Sequence, residues 1–336
     1  MCRSQRHLGR SIKAHEGAYH YNVLSNSSPT PCCVTSATGF GLLLDVDGPI
    51  SSPVTRTLSQ PGIVDSLVTL ANAGIPIAFN TGRSDEFLRH EVLAPMVAGG
   101  LTPEALVWGI AEKGATWFRF PTSPAETLNL QVDESIVVKK NVYDAARDLT
   151  HQHFADLVFF DETKRTMVSL EQLTSVSNHQ FKARQNALNE AVATMVAEHG
   201  YTIEWHGVPV GATGADVLHA ISPDEPSGEA LRVDSSIIAV DIEHPGTGKD
   251  VGAQRFVDEL LEIGAPIPHH WYTMGDSRSD YTMATWLHEN GFEVAHVDVR
   301  PADGVPPVPY PVLTHPSLIN DDSGAHFLAQ WAEMVG

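Results

Sequence analysis

The sequence predicts a doubly wound α/β domain with a mainly parallel sheet, interrupted by an inserted α+β domain. Three observations lead there. Short apolar runs ending in carboxylates or glycine alternate with amphipathic helical stretches from Phe40 onward, the rhythm of parallel βα units. The rhythm breaks at about Thr116, where alternating strand-like segments surround one long amphipathic helix. It resumes after His244.

Taken in order, Phe40-Gly-Leu-Leu-Leu-Asp45 is apolar throughout and ends in carboxylates followed by Gly48, as a buried parallel strand with polar residues at its carboxyl end should. Ile63 to Ala73 carries apolar residues at helical spacing and stops near Gly74. Ile75 to Phe79 is a second buried strand leading into Asn80-Thr-Gly-Arg83. Ser84 is an N-cap candidate for a helix to about Val97, and Ala105 to Ile110 is a third strand that runs into Glu112-Lys-Gly-Ala115. Inside the insertion, Arg165 to Leu170 alternates as a half-buried strand does, and Gln180 to Glu198 forms the long helix. Beyond it come a helix at Val251 to Ile263, a strand at Trp271 to Met274, a helix from Ser279 and a strand at Phe292 to Val299. Pro301 to Pro311 reads as a loop. The expected organisation is an N-terminal extension over 1–38, a core over 39–115 and 245–336, and an inserted domain over 116–244. The extension mixes Ser, His, Arg and Asn without periodicity and is expected to be disordered.

A chain of 336 residues with 42% hydrophobic content can bury a core of this size. The formal charge of -20 argues against nucleic acid and anionic membrane surfaces as partners, because both need clustered Lys and Arg. Cys2, Cys32 and Cys33 all precede the first strand, which supports neither a disulfide framework nor a cysteine metal site. No apolar run resembles a signal-peptide core or reaches the length of a membrane span, so a cytoplasmic location is expected.

Four segments stand at strand ends or helix starts: Asp45-Val-Asp-Gly48, Asn80-Thr-Gly-Arg83, Lys249, and Gly275-Asp-Ser-Arg-Ser-Asp280. Ligands of open α/β sheets bind beyond the carboxyl ends of the strands, so segments far apart in sequence can converge on one crevice. In this order they resemble the four motifs of the haloacid dehalogenase (HAD) superfamily. The resemblance covers Phe40 to Ala115 and Pro245 to the C-terminus, and the position of the insertion is similar to that of a type C2, subclass IIB-like cap on a Rossmann-like core.

The resemblance implies phosphoryl transfer. Asp45 would attack phosphorus to form an aspartyl phosphate, while Asp47 would protonate the leaving oxygen and then activate water. It further implies Mg²⁺, a hard cation suited to oxygen ligands, held by Asp45, the main-chain carbonyl of Asp47 and Asp276. Asp280 would support the metal or orient Lys249. Thr81, the Gly82 amide and Lys249 would bind the transferring phosphoryl oxygens. Pro49 stands where Thr is common in the family, and Arg278 and Ser279 where an Asn-Asp pair is frequent. Asp47 matches phosphatases and phosphomutases rather than transport ATPases or dehalogenases. The expected function is a Mg²⁺-dependent phosphatase acting on a small phosphorylated metabolite such as a sugar phosphate. A phosphomutase or a catalytically silent binding protein of the same fold is the alternative.

Other clusters are weaker. Gly246-Thr-Gly-Lys249 lacks P-loop spacing. His151 with His153, and His269 with His270, lack the spacing of a helical zinc site and read as surface histidines. Arg83 and Arg278 adjoin motifs and are candidate substrate contacts. In the insertion, Lys164 and Arg165, with Lys139 and Lys140, are candidate cations for substrate, and Glu204, His206 and Asp216 candidate hydroxyl contacts.

Overall fold

The computed structural model describes residues 39–336 except 54, 59, 121–127 and 207–227, and omits the side chains of Trp205 and His206. The expected disorder of residues 1–38, the three cysteines, and the expectations for His206 and Asp216 lie outside the described residues. Five strands open the chain: β1 (Gly41–Leu44), β2 (Ile77–Asn80), β3 (Val107–Ala111), β4 (Thr116–Arg119) and β5 (Gln131–Val132). Then come β6 (Val158–Phe160), β7 (Val168–Gln172), β8 (Thr202–His206), β9 (Ala230–Ser235) and β10 (Ala239–Glu243). The last are β11 (His270–Gly275), β12 (Glu293–Asp298) and β13 (Val312–Leu313).

They form two sheets. The larger runs β13-β12-β11-β1-β2-β3-β4-β5 and the smaller β6-β7-β10-β9-β8. In the larger sheet β13 through β3 are parallel, and only β4 and β5 are antiparallel additions at the edge. This is the mixed α/β architecture that the βα rhythm predicts. β4 and β5 fall in the stretch expected as insertion, yet hydrogen-bond to the large sheet.

β1 is central and buried along its whole length, which is why its sequence is apolar on both faces. A Cβ on Gly41 would stand 2.5 Å from the Trp271 ring, so glycine is what lets β1 lie against β11. The helix Ile63–Asn72 buries Ile63, Leu67, Val68, Leu70 and Ala71 against one face of the large sheet, together with the C-terminal helix Asn320–Glu333. The helices Lys249–Glu262 and Tyr281–Glu289 cover the other face through Phe256, Leu260, Met283 and Leu287. In the smaller sheet, alternate residues Val168, Leu170, Leu231, Val233, Val240 and Ile242 pack under the helices Lys140–Leu149 and Asn178–Glu198. The longer helix starts at a capping box between Ser177 and Gln180.

One strand begins later than its alternation suggests. Arg165, Thr166 and Met167 donate their backbone N–H groups to the Glu112 carboxylate at 2.9, 2.8 and 3.3 Å, so β7 starts only at Val168. Among the described residues no helix is long and apolar enough to cross a membrane.

Candidate functional site

Because β11, β1 and β2 are parallel neighbours, their carboxyl ends bring Asp276, Asp45 and Thr81 to one rim of the sheet. Asp45 is buried. Its Oδ1 accepts from the Val46 amide at 2.7 Å and lies 2.7 Å from Lys249 Nζ. Lys249 is the first residue of its helix, and its ammonium also donates to Asp280 Oδ1. The other Asp280 oxygen accepts from the amides of Asp276 and Ser277 at 3.0 and 2.8 Å and from the Ser277 hydroxyl at 2.7 Å. Asp280 thus holds Lys249 through one oxygen and the Asp276–Ser277 turn through the other.

Asp45, Asp276 and Asp280 offer carboxylate oxygens within 4.8 Å of one another, a spacing that could hold a metal ion. Gly48 has φ 98°, and a Cβ there would meet the Asp276 carboxyl group at 2.8 Å; the turn after β1 therefore needs glycine both for its backbone and for this approach. Burial raises the Asp45 pKa well above the usual carboxylate range against the pull of Lys249, with Asp280, Asp276 and Asp47 adding to the rise. Burial and then Asp280 push Asp276 up to about 6, against the opposing charge of Arg300. Burial works against the Lys249 ammonium, but Asp280 and Asp45 more than offset it and raise its pKa. Crowded acids with too few cations are a common sign of a functional site.

Asp47 has a different environment. Arg83 grips it in a bidentate pair, Nε to Oδ2 at 2.8 Å and Nη2 to Oδ1 at 3.0 Å, and reaches Glu171 Oε2 on β7 at 2.7 Å through Nη1. Burial acts to raise the Asp47 pKa, but Arg83 prevails and holds it below the ordinary value. Thr81 is buried and its hydroxyl accepts from the Arg83 amide at 3.1 Å. Lys164, from the smaller sheet's side, donates to the Gly82 carbonyl at 2.6 Å.

The remaining candidates are not in this cluster. Arg165 pairs with Asp85 at 2.6 Å, and Arg278 is exposed beside Asp303 and Gly304. Lys139 pairs with Glu229 and Lys140 with Asp144, both on the surface. His151 and His153 are exposed, His269 and His270 face Glu293 at 3.7 and 3.6 Å, and Glu204 is exposed on β8.

Sequence reasoning missed three groups. Arg300, just past β12, donates to Asp276 Oδ2 at 3.2 Å; its strand-end position was the available signal. Glu171 takes Arg83. Lys113 lies in a turn whose Glu112, Lys113 and Gly114 all have positive φ (49°, 54° and 91°), and it contacts Asp234, Asp241 and Glu243 at 2.7, 3.3 and 2.7 Å. Left-handed non-glycine residues cost about 1–3 kcal/mol each, so this turn is held by its contacts. Its amides at Glu112 and Lys113 donate to the carbonyls of Arg83 and Thr81, both at 2.9 Å.

No protein-family model matches this sequence, and no curated protein matches it either. Solved structures do. The C-terminal domain of trehalose-6-phosphate phosphatase from C. albicans aligns over 89% of this chain and 94% of its own at TM-score 0.57 and 14% identity. A haloacid dehalogenase-like hydrolase from Bacteroides thetaiotaomicron aligns over 87% and 99% at TM-score 0.50 and 12% identity. At such identities the likeness is one of fold.

Proposed function

We propose that this chain is a Mg²⁺-dependent phosphatase that hydrolyses a small phosphate monoester, such as a sugar phosphate, through an aspartyl phosphate on Asp45. The observation that carries the proposal is the meeting of Asp45, Lys249, Asp276 and Asp280 at one strand-end crevice, with Asp47 two residues along the chain from Asp45. The fold likeness supports it.

Asp45 would attack phosphorus as the bond to the leaving oxygen breaks. Asp47, a carboxylate while Arg83 grips it, would first take up a proton from solvent as substrate displaces Arg83, and would then give that proton to the leaving oxygen. Asp47, now a carboxylate, would take a proton from water that attacks the acyl phosphate, breaking the bond to Asp45 and releasing inorganic phosphate. Lys249 holds Asp45 in line and offsets charge on the phosphoryl oxygens, and Asp280 fixes Lys249. Thr81 and the Gly82 amide complete the cradle. The donor set is hard oxygen, which fits Mg²⁺: Asp45, Asp276 and the Asp47 carbonyl would hold it, and when bound it would neutralise phosphoryl charge. The smaller sheet, with its helices, acts as the cap.

Release of inorganic phosphate from a panel of phosphorylated metabolites, with and without a chelator, tests the proposal. Turnover with Mg²⁺ that stops on chelation is expected. Failure to release phosphate from any member, an activated aryl phosphate included, refutes it.

A further inference from the structure

A groove of about 400 Å³ lies between the Arg83–Glu91 segment and the β6–β7 edge of the smaller sheet. Its lining connects it to the site: Arg83 bonds to Asp47 and to Glu171 within 3.0 Å. A group leaving phosphorus beside Asp47 would therefore emerge here. Four carboxylates line the groove, Glu86, Glu91, Asp161 and Glu171, beside His90 and one guanidinium, Arg83, which is already bonded to Asp47 and Glu171. Two further cations stand at the lining, Arg56 at 3.6 Å from Glu171 and Lys164 at 3.9 Å from Asp161 with its ammonium turned to the Gly82 carbonyl, so among the described residues Glu86 and Glu91 are the lining carboxylates without an ion pair.

Two phenyl rings also line it. Phe159 leaves 38% of its surface exposed, whereas its neighbours Val158 and Phe160 are buried, because β6 turns Phe159 to the same face as its cross-strand partner Glu171. The Phe87 ring lies under the Arg83 guanidinium, 4.9 Å from its centroid. Carboxylates accept hydrogen bonds from hydroxyls, and phenyl rings pack on apolar C–H faces. Together they suit a polyol and repel an anion.

We propose that this groove receives an uncharged, hydroxyl-rich leaving group and that its carboxylates reject substrates carrying a second phosphate. The inference rests on the phosphatase reading and adds a charge rule to it. The test compares kcat/KM for a hexose monophosphate and the corresponding hexose bisphosphate, with 4-nitrophenyl phosphate as a control whose leaving group carries neither a polyol nor a second phosphate. The monophosphate should be preferred by about 100-fold or more, since like charges at a recognition surface are strongly penalised. Glu86→Lys with Glu91→Lys, checked for folding by circular dichroism, should cut that preference by about 10-fold or more.

Hydrolysis of the aryl phosphate with the two hexose esters within about threefold of each other, or an unchanged preference in the folded double variant, overturns the groove assignment and leaves the phosphatase reading standing. If the aryl phosphate is not hydrolysed, the phosphatase reading falls instead. Calorimetric titration of the same protein with the two esters then decides the groove: tighter binding of the monophosphate upholds it, while equal binding or none overturns it.

Discussion

Lys249 and Lys113 are both buried among carboxylates, yet they sit in opposite settings. Lys249 meets Asp45 and Asp280 at the ends of parallel strands, beside Asp276 and the turn at Gly48. Lys113 reaches from the large sheet's side to Asp234, Asp241 and Glu243 on the face of an antiparallel pair, where Asp234 and Asp241 stand directly opposite each other. Like charges in that register repel, so Lys113 is what allows them to coexist. Burial works against its ammonium, but Glu243, Asp241 and Asp234 outweigh that and raise its pKa. On the proposed function the same chemistry is used once to prepare a nucleophile and once to fasten two layers together, and location on the sheet distinguishes the uses.

The hardest test of that contrast is Asp45→Asn, which keeps the shape but cannot form the acyl phosphate. Turnover should fall by more than about 1,000-fold in a protein whose thermal unfolding is little changed. Asp47→Asn should lower turnover of an alkyl phosphate by about 100- to 10,000-fold and that of an aryl phosphate much less, because only the former needs a proton on its leaving oxygen. Equal losses on the two substrates would remove the acid role.

The two lysines can be set against each other directly. Each Lys→Met change strands buried carboxylates and should cost about 3–5 kcal/mol in urea unfolding. Lys249→Met should also lower aryl phosphate turnover by about 100-fold, whereas Lys113→Met should stay within about tenfold of the parent. Equal activity losses would mean that Lys113 belongs to the chemistry.

Arg83→Ala gives the smallest and most specific change. Arg83 holds Asp47 below its ordinary pKa, so the Asp47 carboxylate persists to lower pH in the folded protein than in the unfolded chain. That contribution to stability is present above the unfolded pKa near 3.8 and is lost as pH falls through the folded value. Without Arg83, Asp47 should keep its proton to higher pH, moving the alkaline limb of the kcat profile for an alkyl phosphate upward. A limb that does not move would separate Arg83 from Asp47 in function.

The core positions were legible because parallel strands show as unbroken apolar runs, and a carboxylate or Thr-Gly at the end of such a run has one place to go. The smaller sheet was legible only as alternation. Val168-Ser-Leu-Glu-Gln172 shows which residues share a face, but not that Glu171 would meet Arg83 or that Asp241 would meet Lys113. Those partners depend on a turn at Glu112–Gly114 with three positive φ angles, two of them in residues that seldom adopt them. The late start of β7 has the same source, since Glu112 takes the amides an earlier start would have used.

The pairing of Gly41 with Trp271 also has a consequence for synthesis. As the chain leaves the ribosome, β1 can meet β2 at once, but its neighbour on the other side is not made until every strand of the smaller sheet has been translated. That sheet is contiguous in sequence and can fold while β1 still presents an open edge, a form prone to pairing with other chains. Lys249 and Asp276 are also encoded late, so a nascent chain carries Asp45 before the residues that surround it in the folded protein. If Asp45 is the nucleophile proposed, the order of translation leaves it without its lysine and its acidic neighbours until the smaller sheet has been made.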